Sequence, residues 1–287
     1  MIDFLKYRFV YLLISLIVIG IGMFSVVTYG FRYSIDFVGG TTLEYKINKQ
    51  ISKDQLVSIL KKEDIEAVES EVGRNVVKLR TKAIDEKKEA QFRKDLQKDL
   101  GLKVEVLRSE TVGPVLGRET MYKTITASVV AIIAILLYMS FSFKGLNFAL
   151  SAIFALLHDF LIVVGMYSLL SYFFKAEVDT LFVTALLTTM SFSVHDTIVV
   201  FDKIREYKKT EGRGNIEEYA NRALTETLVR SINNSMTIVF MLLALVFLGG
   251  STIRFFIAAL LIGTITGTYS SPFVATPILV WLEKRKR

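Results

Sequence analysis

Two dipeptides carry the chemistry this chain has to offer. His158-Asp159 and His195-Asp196 contain the only two histidines in 287 residues, and each lies deep in an apolar run. Ionisable groups in such a setting are expensive to keep in hydrocarbon and rarely face lipid, so each marks a functional position by default. An imidazole titrates near neutral pH and a carboxylate changes charge with its surroundings, so the chemistry they suggest is proton binding and release. Side chains at i and i+1 diverge by about 100° on a helix, so the two members of each pair need not face one site. The aspartates are therefore the stronger candidates. No nucleotide-binding loop and no metal-ligand cluster accompanies them, which argues against an ATPase or a metalloenzyme and leaves no catalytic residue to name.

The residues around the aspartates give their surroundings. Ala185, Thr189, Ser193 and Asp196 fall on one small, polar helix face, and Ala152, Ala155 and Asp159 make a shorter one. A carboxylate on such a stripe looks toward other helices. Gly263, Gly267 and Ser271 repeat the pattern at four-residue intervals, a ridge that lets a neighbouring helix approach closely, and Pro272 and Pro277 beyond it permit a kink. Asp202 and Glu206 sit among Lys203 and Arg205, where a span would leave the membrane, and read as interfacial charges.

The elements that position these groups follow from composition. The chain is 52% hydrophobic, with a mean hydropathy of +0.45, 3 Pro and no Cys, which excludes a disulfide scaffold and a disordered chain. Its charge is segregated from apolar runs at about 9-29, 121-142, 147-171, 180-201, 236-250 and 255-282. Most have the ~20 residues that a helix needs to cross a ~30 Å hydrocarbon core. The first run exceeds a signal-peptide core and reads as a retained anchor.

Lysine and arginine near the span ends set the expected orientation. With the N-terminus inside, the inner segments hold Lys6 and Arg8, Lys144, a cluster from Lys203 to Arg230 including Arg213, and Lys284 to Arg287. The short outer loops hold little beyond Lys175 and Arg254. Both termini are thus expected to be cytoplasmic, with residues 31-119 outside and a cytoplasmic loop at about 203-232. The expected organisation is 1-30, an N-terminus and first span; 31-119, an extracytoplasmic domain; and 120-287, spans two to six with a basic tail. The net charge of +7 then reports topology, not nucleic-acid binding.

Within 31-119 the periodicities predict strands over Thr42-Ile47, Glu66-Glu71, Val76-Arg80 and Lys103-Leu107. Helices are predicted over Ser52-Glu63 and Asp85-Leu100, stopped by Gly101. The order β-α-β-β-α-β is the ferredoxin-like arrangement. The fold class is therefore an α-helical polytopic membrane protein of six transmembrane helices carrying one α+β ferredoxin-like domain between the first and second.

Four segments together resemble the SecD/SecF family of bacterial protein-export membrane subunits, relatives of the resistance-nodulation-division exporters. They are Asp36-Phe37-Val38-Gly39-Gly40-Thr41; Val112-Gly113-Pro114; His195-Asp196-Thr197-Ile198-Val199-Val200-Phe201-Asp202-Lys203-Ile204-Arg205-Glu206; and the sixth-span run from Ile262 to Ser271. The resemblance covers nearly the whole chain. It implies an accessory role in protein translocation across the bacterial inner membrane, with SecD, the SecYEG translocon and membrane lipid as partners, the preprotein as cargo and the proton-motive force in place of a cofactor. It further implies that Asp196 and Arg230 belong to the proton-coupling site. Where the family usually has Asn before that aspartate, this chain has His195, a possible extra titrating group. Two readings from other classes stand beside it: a homodimeric proton-driven exporter of small or lipid-like solutes, and a passive translocon scaffold.

Overall fold

The computed structural model describes residues 3-143, 145-212 and 214-285. Lys144, Arg213, Lys286 and Arg287, counted above among the basic residues, lie outside them. The chain divides into two compact units, Tyr33-Thr126 and a second made of Met1-Arg32 with Ala127-Arg287.

The smaller unit holds a four-stranded antiparallel sheet. Its strands are β1 (Gly40-Ile47), β2 (Ala67-Val72), β3 (Val76-Thr81) and β4 (Val104-Val112), and two helices, α2 (Lys53-Lys62) and α3 (Glu86-Leu100), connect them. The spatial order β2-β3-β1-β4 is ferredoxin-like. Alternation in Thr-Leu-Glu-Tyr-Lys-Ile turns Leu43, Tyr45 and Ile47 inward, where they meet Leu56 and Leu60 of α2 and Phe92 and Leu96 of α3. Ser52 and Gln55 form a capping box at the start of α2. Asp85 caps α3, and Gly101 ends it at a left-handed φ of 61°. The last strand runs five residues beyond the expected Leu107. Arg108 to Val112 pair with Glu44 back to Gly40 across a register shift at Glu44/Tyr45, a partnership that hydropathy alone does not encode.

The two short family motifs meet in this unit. Gly39 has φ +75°, and a Cβ placed there would lie 2.7 Å from Cα of Pro114. A Cβ on Gly117 would lie 2.7 Å from the Gly39 nitrogen. Backbone packs directly on backbone, so only glycine fits.

In the larger unit, among the described residues, six helices are long and apolar enough to cross a membrane. They are α1 (Arg8-Tyr29, preceded by a 3-10 turn from Phe4), α4 (Pro114-Ser142), α5 (Leu146-Phe174), α6 (Thr180-Thr210), α7 (Ile216-Leu248), and a final pair, α8 (Arg254-Ser270) and α9 (Thr276-Arg285). The stretch at 203-232, expected to be a loop, is helical up to Thr210 and again from Ile216. Side-chain pairs three apart, Arg205-Asp202 and Lys203-Glu206, support the end of α6, and Asn215 caps α7. Between α8 and α9 the chain makes one π turn, Ser271-Ala275, at Pro272. The Thr276 hydroxyl donates to the Ser271 carbonyl there, so the kink expected at the prolines takes the form of a widened turn.

Two helix pairs are zipped in parallel by small residues. On α1 and α5, Ser15 faces His158, Gly22 faces Gly165 and Ser25 faces Ser168, with Gly22 and Gly165 so close that a Cβ on Gly22 would lie 2.8 Å from the partner's Cα. On α6 and α8, Gly263 packs on Thr189, Gly267 on Ser193, and Thr197 Oγ1 lies 2.9 Å from Ser271 Oγ. Both ridges follow the small-residue rule for helices that lack a hydrophobic drive to associate in lipid.

This packing predicts a sharp contrast on one helix. Gly22→Ala forces overlap with the α5 backbone and should cost about 1-3 kcal/mol. Gly20→Ala meets open space and should be neutral or mildly stabilising. Thermal unfolding of the purified full chain in detergent checks both; equal behaviour of the two variants would dissolve the zipper.

The sheet unit makes a second prediction. Tyr45 is fully buried and donates to Glu89 at 2.6 Å, and burial, then that carboxylate, raises its pKa well above the ordinary value of about 10. Below that value the phenol is neutral in both folded and unfolded chains. Above it the unfolded chain ionises and the folded one resists, so stability falls as pH rises past about 10. Residues 36-112 expressed alone should unfold cooperatively in urea, and Tyr45→Phe should flatten the alkaline part of the midpoint's pH dependence. A pH profile identical to wild type would show that Tyr45 does not report on folding.

Candidate functional site

Burying a carboxylate requires donors to meet it, and the helices of the larger unit supply them to Asp159 from three sides. The residue is 3% exposed. Its Oδ1 lies 2.8 Å from Nδ1 of the neighbouring His158. Its Oδ2 accepts from Ser270 Oγ of α8 at 2.7 Å and from Ser193 Oγ of α6. The far nitrogen of His158, Nε2, lies 2.9 Å from Ser15 Oγ on α1. With Nδ1-H facing the carboxylate, Nε2 is the acceptor for that hydroxyl. The imidazole is also stacked near Tyr269, ring centroids 6.1 Å apart, whose hydroxyl donates to the Tyr11 carbonyl of α1 at 2.9 Å. One carboxylate therefore touches or links α1, α5, α6 and α8.

Asp196 lies three residues after Ser193 on the same face of α6 and is 6% exposed. It accepts from Ser231 Oγ of α7. One turn further along α7, Ser235 Oγ accepts from Thr268 Oγ1 of α8 at 2.7 Å. The two carboxylates thus stand on one polar seam. Asp159 joins it on the α5 side, Asp196 on the α7 side, and Ser193 lies between them.

The structure distributes the sequence candidates unequally. Asp159, Asp196, Gly263, Gly267 and Ser271 come together along α6 and α8. His195 is exposed on the other side of α6, so adjacent placement separates it from Asp196 as helical geometry requires. His158, by contrast, does share a site with its neighbour. Helical spacing leaves open whether each histidine faces its aspartate; at His158 it does, because the short Asp159 side chain and Nδ1 both lie close to the backbone and bridge the angular gap. Arg230 is exposed, and among the described residues it forms no ion pair with Asp196. The adjoining Ser231 makes that contact instead, one position round the helix. Asp202 pairs with Arg205 at 3.0 Å and is largely exposed, in line with an interfacial charge. Asp36, Gly39, Gly40, Gly113 and Pro114 lie in the smaller unit and have no part in the seam.

Sequence reasoning missed Ser15, Ser270 and the Gly22-Gly165 contact. The signal for Ser15, Gly22 and Ser25 was present as small residues at helical spacing on α1, unremarkable until α5 is known to pack there. Among the described residues no group of three His, Asp or Glu could hold a metal ion. The seam's groups are acceptors, hydroxyls and one imidazole, an arrangement able to take up a proton and pass its effect between helices.

The chain is similar to known proteins along nearly its whole length. Residues 92-285 match the family model described as protein export membrane protein SecD/SecF, C-terminal, and residues 24-51 match the SecD/SecF GG motif. The chain is 40% identical to the protein translocase subunit SecF of Thermobaculum terrenum over 99% of its own length and 95% of the relative's. It is 35% identical to that of Anaerolinea thermophila over 99% and 94%. The protein translocase subunit SecDF of Thermus thermophilus is 37% identical, over 90% of this chain and 35% of that longer one. The crystal structure of that organism's SecDF, a translocon-associated membrane protein, superposes with a TM-score of 0.85 at 32% identity, over 99% of this chain and 39% of the other. The chain is a multi-pass membrane protein that belongs to the SecD/SecF family of protein export membrane proteins.

Proposed function

We propose that this chain is the SecF-type subunit of the Sec export system. It works with a SecD partner at the SecYEG translocon, and it uses the proton-motive force to promote late steps of preprotein movement across the cytoplasmic membrane. Continuity of its sequence with one part of a SecDF chain supports the SecD partnership, because domains fused in a relative are commonly separate partners elsewhere. The observation that carries the coupling reading is the Asp159-Ser193-Asp196 seam, buried between helices and held by hydroxyls. The chain needs no covalent step and no cofactor beyond the gradient.

The geometry suggests how protonation becomes motion. An ionised carboxylate is an acceptor only, so Asp159 takes hydrogen bonds from His158, Ser193 and Ser270 at once. Adding a proton turns one of its oxygens into a donor, so one of the hydroxyls that donates to it must turn and accept instead, which frees that hydroxyl's own proton for another partner. Because the contacts come from α5, α6 and α8, that exchange alters how these helices are joined. Each proton crossing about 150 mV releases roughly 3.5 kcal/mol, enough to shift a two-state packing equilibrium by two to three powers of ten. Arg230, on the face of α7 next to Ser231, supplies a charge that can move toward Asp196 when the Ser231 contact is released. With the basic ends of α1, α6, α7 and α9 in the cytoplasm, the ferredoxin-like domain lies outside, where a preprotein emerges.

Two measurements test this. In intact cells, a membrane-impermeant thiol reagent should label Lys62→Cys but not Lys209→Cys; the reverse pattern would invert the orientation. In inverted vesicles carrying the partner subunit, Asp196→Asn and Asp159→Asn should each insert and assemble normally yet lose the gradient-dependent increment of export that an uncoupler removes from wild type. Arg230→Met should do the same, and Asp202→Asn should be much milder. Full gradient-dependent stimulation in both Asp159→Asn and Asp196→Asn would leave the chain an assembly scaffold.

A further inference from the structure

Independently of the coupling seam, a groove between α1 and the last helix pair has the chemistry of a lipid site. It encloses about 430 Å³, within the range of ligand pockets. Phe9 and Leu12 of α1 form one wall, Pro277 and Trp281 of α9 the other, and Arg8 and Lys284 close one end. No acidic residue lines it. We propose that this groove binds one anionic phospholipid, with an acyl chain along the Leu12-Pro277 walls and the phosphate against Arg8 and Lys284.

Three observations support a lipid as the occupant. First, the groove opens on the flank of two helices that are each long and apolar enough to cross a membrane, so bilayer lipid is what meets it. Second, the two cations are pre-positioned from behind. Glu217 accepts from Arg8 at 3.0 Å and from Lys284 at 2.7 Å through the same oxygen, which draws both heads to the groove's end. That shared acid neutralises one charge of the two. The guanidinium and the ammonium keep unused donors for phosphate oxygens. Third, aromatic groups mark the headgroup level. Trp281, the only tryptophan of the chain, is 58% exposed, and Phe9 is 73% exposed. The Arg285 guanidinium lies 5.5 Å from the Trp281 ring and the Arg8 guanidinium 5.4 Å from that of Phe9. Indole at an interface beside cations is the side-chain pattern that meets lipid headgroups.

The single tryptophan makes the test direct. The full chain is reconstituted in phosphatidylcholine vesicles that contain either acyl-brominated phosphatidylglycerol or the same mole fraction of acyl-brominated phosphatidylcholine, and bromine quenching of Trp281 is measured. The phosphatidylglycerol should occupy the site with about a five-fold preference, the effect of the one net positive charge that Glu217 leaves there. Arg8→Gln combined with Lys284→Gln should make the two lipids equivalent, whereas Lys209→Gln, a basic change on α6 outside the groove, should leave the preference intact. Equal quenching of wild type by both lipids would overturn the proposal, as would a preference that survives the double substitution. Absence of quenching by either lipid would show protein covering the groove and would also overturn it. Because wild type alone can fail the first criterion, the test stands even if the double variant does not insert. Export activity does not enter it, so its failure leaves the coupling reading untouched.

Discussion

The helices at the centre of the larger unit must meet the hydrogen-bonding demand of a buried carboxylate. Asp159 sits where water does not reach, and its three donors come from His158 beside it, Ser193 on α6 and Ser270 on α8. A serine hydroxyl extends only a short way from its backbone, so α6 and α8 must come close to α5 for the bonds to form. Close approach in turn requires Gly267 against Ser193 and Gly263 against Thr189, where a Cβ would collide. The glycine ridge is thus a consequence of the carboxylate as much as of helix packing. Hydrogen bonds of this kind between membrane helices contribute only about 0.6 kcal/mol on average, so the helices are not held chiefly by them. Leaving the carboxylate without them costs more than making them gains, and that asymmetry fixes the arrangement.

Binding in the unit is concentrated in two parallel zippers joined at Asp159. The α1-α5 zipper ends in His158, the α6-α8 zipper contains Ser193, and Ser270 adjoins it. The outer helices differ: α4 exposes Val129, Ile133 and Leu137, and α7 exposes Phe240 and Phe247. Such side chains need no internal partner when hydrocarbon surrounds them. α7 meets the centre at two hydroxyl contacts, Ser231 with Asp196 and Thr268 with Ser235. The same helix is tied at its N-terminal end by ion pairs, Glu217 to Arg8 and Lys284 and Arg222 to Glu211, so its polar attachments cluster there and at the seam.

How much of this the sequence disclosed depends on whether a feature is local. Spans announce themselves because apolar length is measured along one helix. The sheet unit was legible through alternation in Thr42-Ile47, the Ser52 and Asp85 caps and the stop at Gly101, each a matter of a few neighbouring residues. Asp159, Asp196 and the glycine ridge were visible because small and polar residues repeat on one face. What stayed hidden needed a second element. The strand from Arg108 to Val112 exists because β1 offers Gly40 to Glu44 to pair with. Gly22 matters because Gly165 is opposite, and His158 rather than His195 joins the seam because α1 brings Ser15 to the one while the other is exposed on α6. Arg230 and Ser231 are consecutive, and only the rotation of α7 against α6 decides which of them meets Asp196.

The placement of positive charge completes the physical picture. At the ends of α6 and α7, acids are met by lysine and arginine: Asp202 by Arg205, Glu206 by Lys203, Glu211 by Arg222. Along the seam, among the described residues, neither Asp159 nor Asp196 has a lysine or arginine partner, and hydroxyls and one imidazole take that place. The difference matters for how firmly each carboxylate is held in one form. A guanidinium held permanently against a carboxylate favours its ionised form strongly. Hydroxyls, which donate or accept as required, satisfy a carboxylate in either protonation state by turning over. A seam made of them can therefore keep its helices joined whichever form the carboxylates take.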